Sequence, residues 1–451
     1  MTNSVADEAR ISALTIALEG IKAAEPVKAV KNFVSVKDNS ILLRDGTIID
    51  VKGKIYVVGA GKASGGMAVA LEEVLGDRIT GGIVAVPEEL VDKYSVSRIK
   101  LIGASHPRAS EKSVQAGRLL LENLSNLREN DLVIAVFSGG GSALVEYPVE
   151  GVSVDEIGEL SMKLMKRGAD IFELNTVRKH LSKIKGGWLA RHVRPARLLS
   201  LMISDVVGDR MDTIASGPTV PDPTTFEDAY NILVKYQVWD EAPRSIKEYI
   251  RRGMEGLVPE TPKPNDPVFD NVFNKIVASN ILSLEAMARK AEQLGYKAII
   301  ITSMLEGEAR EVGKVVASVI KEVRRSGNPV QPPAVLLWGG ETTVTVKGKG
   351  LGGRNQETAL SIAISIRGIK GVSVACIGSD GRDGPTDAAG AVVDGSTYEK
   401  ALSYGLKPED FLDDNNSYEF FAKAGGHVKT GYTGTNVNDF IVAVIENLEK
   451  L

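Results

Sequence analysis

Apolar positions along this 451-residue chain fall into short, nearly unbroken runs separated by amphipathic stretches. "KIYVVGA", "GGIVAV", "KLIGAS", "DLVIAVF" and "RLLSLMIS" read as strands buried on both faces. "SEKSVQAGRLLLENLSNL", which lies among them, repeats its apolar residues at helical spacing. The alternation predicts an α/β region with a largely parallel sheet. Ahead of it, Ile11, Leu14, Leu18 and Ile21 predict a helix from Asp7 to about Ala24. Residues 259–267, "PETPKPNDP", carry four prolines, which suit neither a helix interior nor a central strand and mark a linker. The α/β pattern resumes in "KIVASNILSLEAMARKAEQLGYKAIIITS", the helix "EAREVGKVVASVIKEVRRSG" and the strand "VLLWGGETTVTV", and closes on a helix, "VNDFIVAVIENLEK". The expectation is two α/β domains, residues 1–258 and 268–451, with a cleft between them.

Two strands run straight into glycines. "IYVVGAGKASGGM" fits neither nucleotide fingerprint. For a dinucleotide motif the third glycine falls one place late, and Glu88 and Glu89 lie late for the ribose acid. For a phosphate-binding P-loop, Tyr56 stands where the leading glycine belongs and Ala63 where Ser or Thr belongs. What remains is a glycine turn, a helix start and a cation, with Gly61 and Lys62 able to receive an anion or simply to make a tight turn. The second junction places Ser138, Gly139, Gly140, Gly141 and Ser142 after a buried strand, where successive N–H groups can form a phosphate nest. Leu144 stands where a serine-hydrolase elbow needs glycine.

Other residues carry candidate chemistry. In "ELNTVRKHLSKIKGGWLA", read as a helix, Asn175, Arg178 and Ser182 share a face, as do Lys179 and Lys183; a solvated basic face is the usual reason for such spacing. Asp205 ends a strand and Asp209 follows one loop later; carboxylates so placed accept a proton or hold Mg²⁺, and also serve turns. Glu341 follows Gly339 and Gly340 at a strand end or bulge. Arg354 opens a helix after a glycine run, where a guanidinium clamps phosphate or carboxylate. "GSDGRDGPTDAAGA" adds Asp380, Asp383 and Asp387, but Ala391 occupies the place of the glutamate that completes an EF-hand loop, leaving a turn-rich loop or a Mg²⁺ site.

The net charge of −4 gives no support for nucleic-acid or anionic-membrane binding. Cys376 is the only cysteine, so an intrachain disulfide is impossible and a reducing compartment is expected. No apolar run approaches the roughly 18 residues of a membrane span, and the polar start is unlike a signal peptide, so a cytoplasmic protein is expected.

In register, "GAGKASGGMA", "SGGGSAL", "LNTVRKHLSKIKGG", "SDVVGD…ASGPTVPDPTT", "WGGETTVTV", "GGRNQE" and "GSDGRDGPTDAAGA" resemble the class II glycerate kinases, whose C-terminal part is the MOFRL domain. The likeness runs from about residue 55 to the C-terminus. It implies a Rossmann-like N-terminal domain, a MOFRL α/β domain over about 332–451, and phosphoryl transfer from ATP to D-glycerate with Mg²⁺. It also implies that Lys62 and Arg354 are the catalytic cation pair, and archaeal-type members yield 2-phosphoglycerate. With that likeness, Asp205 is the expected base or metal ligand, joined with less support by Asp209. The binding set is Gly61, Ser138, Gly139, Gly140, Gly141, Ser142, Asn175, Arg178, Lys179 and Glu341. A monomer or homodimer is expected. The competing readings are an NAD(P)H-dependent hydroxypyruvate reductase and a sugar-phosphate sensor without turnover.

Overall fold

The computed structural model describes residues 2–447. The chain divides into two compact units: Pro26–Val277 forms the first, and the segment through Glu25 joins the chain from Ala278 onward to form the second. This division differs from the expected one in two ways. It falls after the proline cluster, because residues 259–267 are packed into the first unit rather than strung out as a linker. The Pro262 carbonyl accepts from the Asp222 N–H at 2.9 Å, Thr261 is buried, and Glu260 bonds the N–H of Phe226 and the ring of His180. The N-terminal helix, Thr2–Ala23, also belongs to the second unit.

After the helix Pro26–Phe33, the first unit has an antiparallel meander of β1 (Val34–Lys37), β2 (Ser40–Leu43) and β3 (Ile48–Asp50). Its main sheet comprises β4 (Ile55–Ala60), β5 (Ile79–Pro87), β6 (Ile99–Ala104), β7 (Leu132–Phe137), β8 (Arg197–Ile203) and β9 (Val272–Ala278). The spatial order is β6-β5-β4-β7-β8-β9, and the pairs from β6 through β8 are parallel. Helices cover such a sheet on both faces, which is why β7 is buried along its whole length and reads as an unbroken apolar run. Strand order reverses between β4 and β7, the switch point at whose carboxyl edge open α/β sheets take their ligands.

The second unit contains β10 (Lys297–Leu305), β11 (Ala334–Gly340), β12 (Val372–Gly378), β13 (Gly390–Asp394), β14 (His427–Val428) and β15 (Asp439–Ile445) in the order β10-β11-β15-β12-β13-β14. Only β10 and β11 pair in parallel; the other pairings are antiparallel. The expected closing helix is instead β15, inserted between β11 and β12. "DFIVAVI" is buried at every position, and the short apolar run rich in β-branched residues that follows Asp439 suits a strand covered on both faces. Residues 448–450 of that expected helix lie outside the described residues. In the N-terminal helix the period is as expected but the face only in part: Ile21 is buried, whereas Ile11 is 63% exposed and Leu18 is exposed, and Ala9, Ala13, Ile16 and Ala17 are buried. Among the described residues, no helix is long and apolar enough to cross a membrane.

Candidate functional site

In the first unit, Ala60 and Phe137 pair as the last residues of β4 and β7, so both glycine loops leave the sheet at one level, side by side at the switch point. The loops are stitched together. The Lys62 N–H donates to the Gly139 carbonyl at 2.9 Å. The Ala63 N–H donates to Ser138 Oγ at 3.0 Å, and the Ser64 hydroxyl lies 3.3 Å from the same oxygen. Ser138 is thus buried behind the loop with its hydroxyl committed to the protein. At Gly61 a Cβ would overlap the Ser138 side chain.

Two glycines of the second loop are required by their neighbours. A Cβ on Gly139 would run into the carboxylate of Asp205, which stands just beyond β8. Gly140 has φ +82°, and a Cβ there would stand 2.9 Å from His106 Cδ2 and 3.3 Å from Lys62 Cγ. Lys62, His106, Asp205 and the glycine loop therefore share one small region. Among the described residues the Lys62 ammonium makes no hydrogen bond or ion pair with the protein, unlike the buried lysines nearby. Asp209 sits in a turn with φ 54°, its N–H bonded to the Val206 carbonyl.

The helix Ile171–His180, started by an Asp170–Glu173 capping box, supports the second loop. The Ser216 hydroxyl donates to Asn175 Oδ1 at 2.9 Å and lies 2.7 Å from the Ser142 hydroxyl; Arg178 Nη2 donates to the Ser142 carbonyl at 3.0 Å. The expected solvated basic face is not what forms. The helix stops at His180, before Ser182 and Lys183. Lys179 is buried between Asp222 at 3.6 Å and Asp212 at 3.8 Å. Lys185 is buried against Glu146, whose other oxygen accepts from Ser182 at 2.6 Å. Burial pushes the Lys185 ammonium down to about 8, although Glu146 pulls it up. Asn175, Arg178 and Lys179 therefore hold the loop and its surroundings in place.

The second unit carries a separate charged cluster. Arg354 opens the helix Arg354–Ser365, as expected. Its Nε and Nη2 bond the two oxygens of Asp439 at 2.5 and 3.1 Å, while Nη1 lies 2.8 Å from Glu341 Oε1. Asn438 steadies Glu341 through a 3.0 Å bond to Oε2. Burial pushes the Asp439 carboxyl up to about 6 against the pull of Arg354. The N–H groups of Asn355 and Gln356, at the start of the same helix, donate to buried Asp383 at 3.0 and 2.8 Å. The aspartates of the "GSDGRDGPTDAAGA" loop diverge. Asp383 caps the helix, Asp387 pairs with Lys429 at 2.8 Å, and Asp380 accepts from the Arg382 N–H at 2.9 Å. The Mg²⁺ reading of that loop has no support in this arrangement.

Two members of these clusters escape the sequence reading. His106 follows β6 on the sheet edge that bears both loops; burial, and then Lys62, push its imidazole below the usual value. A histidine just past a parallel strand was the available signal. Asp439 was hidden inside the segment read as a helix.

The described features can be set beside known proteins. Residues 12–251 match the family model "Domain of unknown function (DUF4147)", and residues 334–439 match the MOFRL family model. The chain is 47% identical over 446 residues to the glycerate 2-kinase of Pyrococcus horikoshii, covering 98% of each protein. It superposes on the crystal structure of a glycerate kinase from Thermotoga maritima with a TM-score of 0.87 and 41% identity, covering 97% of this chain and 100% of the other. It is also 40% identical to a putative hydroxypyruvate reductase of Agrobacterium vitis, over 87% of this chain and 88% of the relative.

Proposed function

This chain belongs to the glycerate kinase family built from a DUF4147 region and a MOFRL region, and from that premise we propose that it transfers the γ-phosphoryl group of ATP to D-glycerate, releasing 2-phosphoglycerate and ADP. The observation that carries the reading is the pairing of two glycine loops at the switch point with Lys62, an ammonium the protein leaves uncommitted. Phosphoryl transfer asks for positioning and charge neutralisation more than covalent chemistry.

In this reading the Gly139–Ser142 backbone cradles the donor phosphates and Lys62 offsets charge on the transferring group. Asp205, against the loop, takes the proton of the attacking hydroxyl or holds a metal. Mg²⁺ needs only one or two carboxylates beside phosphate oxygens, so Asp205 fits that requirement even though, among the described residues, no three acidic, histidine or cysteine side chains converge. When bound there, Mg²⁺ supplies further charge neutralisation to the phosphates. Arg354 meets anionic substrate charge with the guanidinium hydrogens that Asp439 and Glu341 leave open.

The reductase name among the relatives sets up a direct contrast. A dinucleotide enzyme holds its ribose with an acid at the end of the second strand. Here β5 ends on Pro87, and Glu88 is paired with Lys112 at 2.6 Å. The test is incubation of the purified protein with ATP, Mg²⁺ and D-glycerate, with ADP measured by a coupled assay and the product identified by phosphorus NMR. Release of ADP and 2-phosphoglycerate is expected. Absence of ADP above background, together with NADH oxidation by hydroxypyruvate, would overturn the kinase reading.

A further inference from the structure

A cavity of about 480 Å³ adjoins the second glycine loop within the first unit. Its lining beside the loop is polar, with His106, Arg108, Ser142, Glu146 and Arg178 next to Gly140. The rest of the lining is largely apolar: Ile157, Met162 and Met165 come from the helix Val154–Lys166, and Ile171 and Leu174 from the helix Ile171–His180. Three of these wall residues are solvent-exposed, Met162 at 38%, Met165 at 53% and Ile171 at 57%. Large apolar side chains gathered on a concave surface beside an anion loop are the usual lining of a small-molecule site, and a volume of this size lies within the range of roughly 300–1,000 Å³ for such sites.

The chemistry of the wall selects the occupant. D-glycerate has three carbons, each carrying an oxygen function, and nothing to set against methionine and isoleucine. The polyphosphate is equally unsuited. Of the reactants, only the nucleoside of the donor has broad apolar faces. Continuity fixes its place, because Gly140 and Ser142 belong both to the loop and to the cavity. A nucleotide with its phosphates on the loop thus has its base within reach of the wall. Methionine suits this task, since its flexible thioether adapts to a flat ring. Arg178, held by its bond to the Ser142 carbonyl, lines the cavity beside the loop.

We propose that this cavity holds the nucleoside of the phosphoryl donor, with the base laid against Met162, Met165 and Ile171. The proposal rests on the kinase reading above. It is tested on the full-length protein by following the ε-methyl NMR signals of ¹³C-labelled methionine, with Met162 and Met165 assigned through leucine variants. Adenosine and ADP should shift both signals, whereas inorganic triphosphate and D-glycerate should leave them in place. Kinetically, the exposed double substitution Met165→Gln with Ile171→Gln should raise the KM for ATP about tenfold. The kcat and the KM for D-glycerate should change less than about twofold. Methyl signals that ignore ADP in a preparation that phosphorylates D-glycerate would overturn this site and leave the kinase reading standing. Equal shifts with triphosphate and ADP would overturn it as well. Signals that respond to adenosine in a protein without glycerate kinase activity would sustain the site and remove the activity.

Discussion

Gly139 and Asp205 are packed so closely that a Cβ on the glycine would overlap the carboxylate of the aspartate. The glycine therefore keeps Asp205 in position as much as it frees the loop. Gly139→Ala should turn the carboxylate aside, lowering kcat at least tenfold, while unfolding loses only about 1–2 kcal/mol. In an Asp205→Ala background the same alanine should cost little more, because the partner it displaces is gone. Steady-state kinetics and urea denaturation of both single variants and the double variant measure this. A loss that persists in full without Asp205 would separate the two residues.

Two lysines near the loop, Lys62 and Lys185, differ in what holds them. Lys62→Ala removes an uncommitted cation and should lower kcat by about a hundredfold or more, with the melting temperature almost unchanged. Lys185→Met instead leaves Glu146 buried and unpaired, and should cost about 3–5 kcal/mol of stability. Adding Glu146→Gln should recover much of that loss. A Lys62 variant with normal kcat and a lowered melting temperature would make Lys62 a structural residue.

Arg354 already spends its Nε–Nη2 fork on Asp439 and one further nitrogen on Glu341. A lysine cannot answer both carboxylates with the same planar geometry. Arg354→Lys should therefore fall nearly as far as Arg354→Ala, by about 3 kcal/mol in kcat/KM. Both variants should also lose stability, since Asp439 is left buried without its partner. If Arg354→Lys keeps most of the wild-type kcat/KM, the fork is not what matters.

The Arg354–Asp439 pair sets a pH limb. Asp439 must be ionised to hold Arg354, and burial raises its carboxyl from 3.8 to about 6. Activity should fall as pH drops through about 6, and Asp439→Asn should be impaired throughout and lack that limb. For stability the sign is opposite. Between about 4 and 6 the folded state keeps a proton that the unfolded chain releases, so this group subtracts stability as pH rises through that window. Profiles of kcat/KM from pH 5 to 8 for wild type and Asp439→Asn provide the check; an identical acid limb in both would assign it elsewhere.

Much of this arrangement was legible in the chain. The parallel strands, the two glycine junctions and Arg354 at a helix start follow from apolar runs that end in glycine. The errors have physical causes. After Asp439, "FIVAVI" is apolar at every position, so it has no period to separate strand from helix. In the N-terminal helix, small alanines rather than the larger Ile11 and Leu18 face the protein, because the helix approaches its neighbours closely; a Cβ on Gly20 would overlap Met287. Lys179, read with Lys183 as a solvated face, is buried instead, and its carboxylate partner Asp222 is distant in sequence. Pairing across such distances leaves no local spacing to read.

The N-terminal helix packs on the helix Asn280–Gln293, on β12 and on β15, all encoded beyond the first unit. During synthesis it emerges ahead of the first unit and must wait, its Ala9–Ala13–Ile16 surface unshielded, while that whole intervening unit is made. In the second unit's sheet β15, which lies between β11 and β12, is made after the other five strands. A chain that stopped short of β15 would hold every segment of the first unit but a second unit lacking the strand that joins β11 to β12.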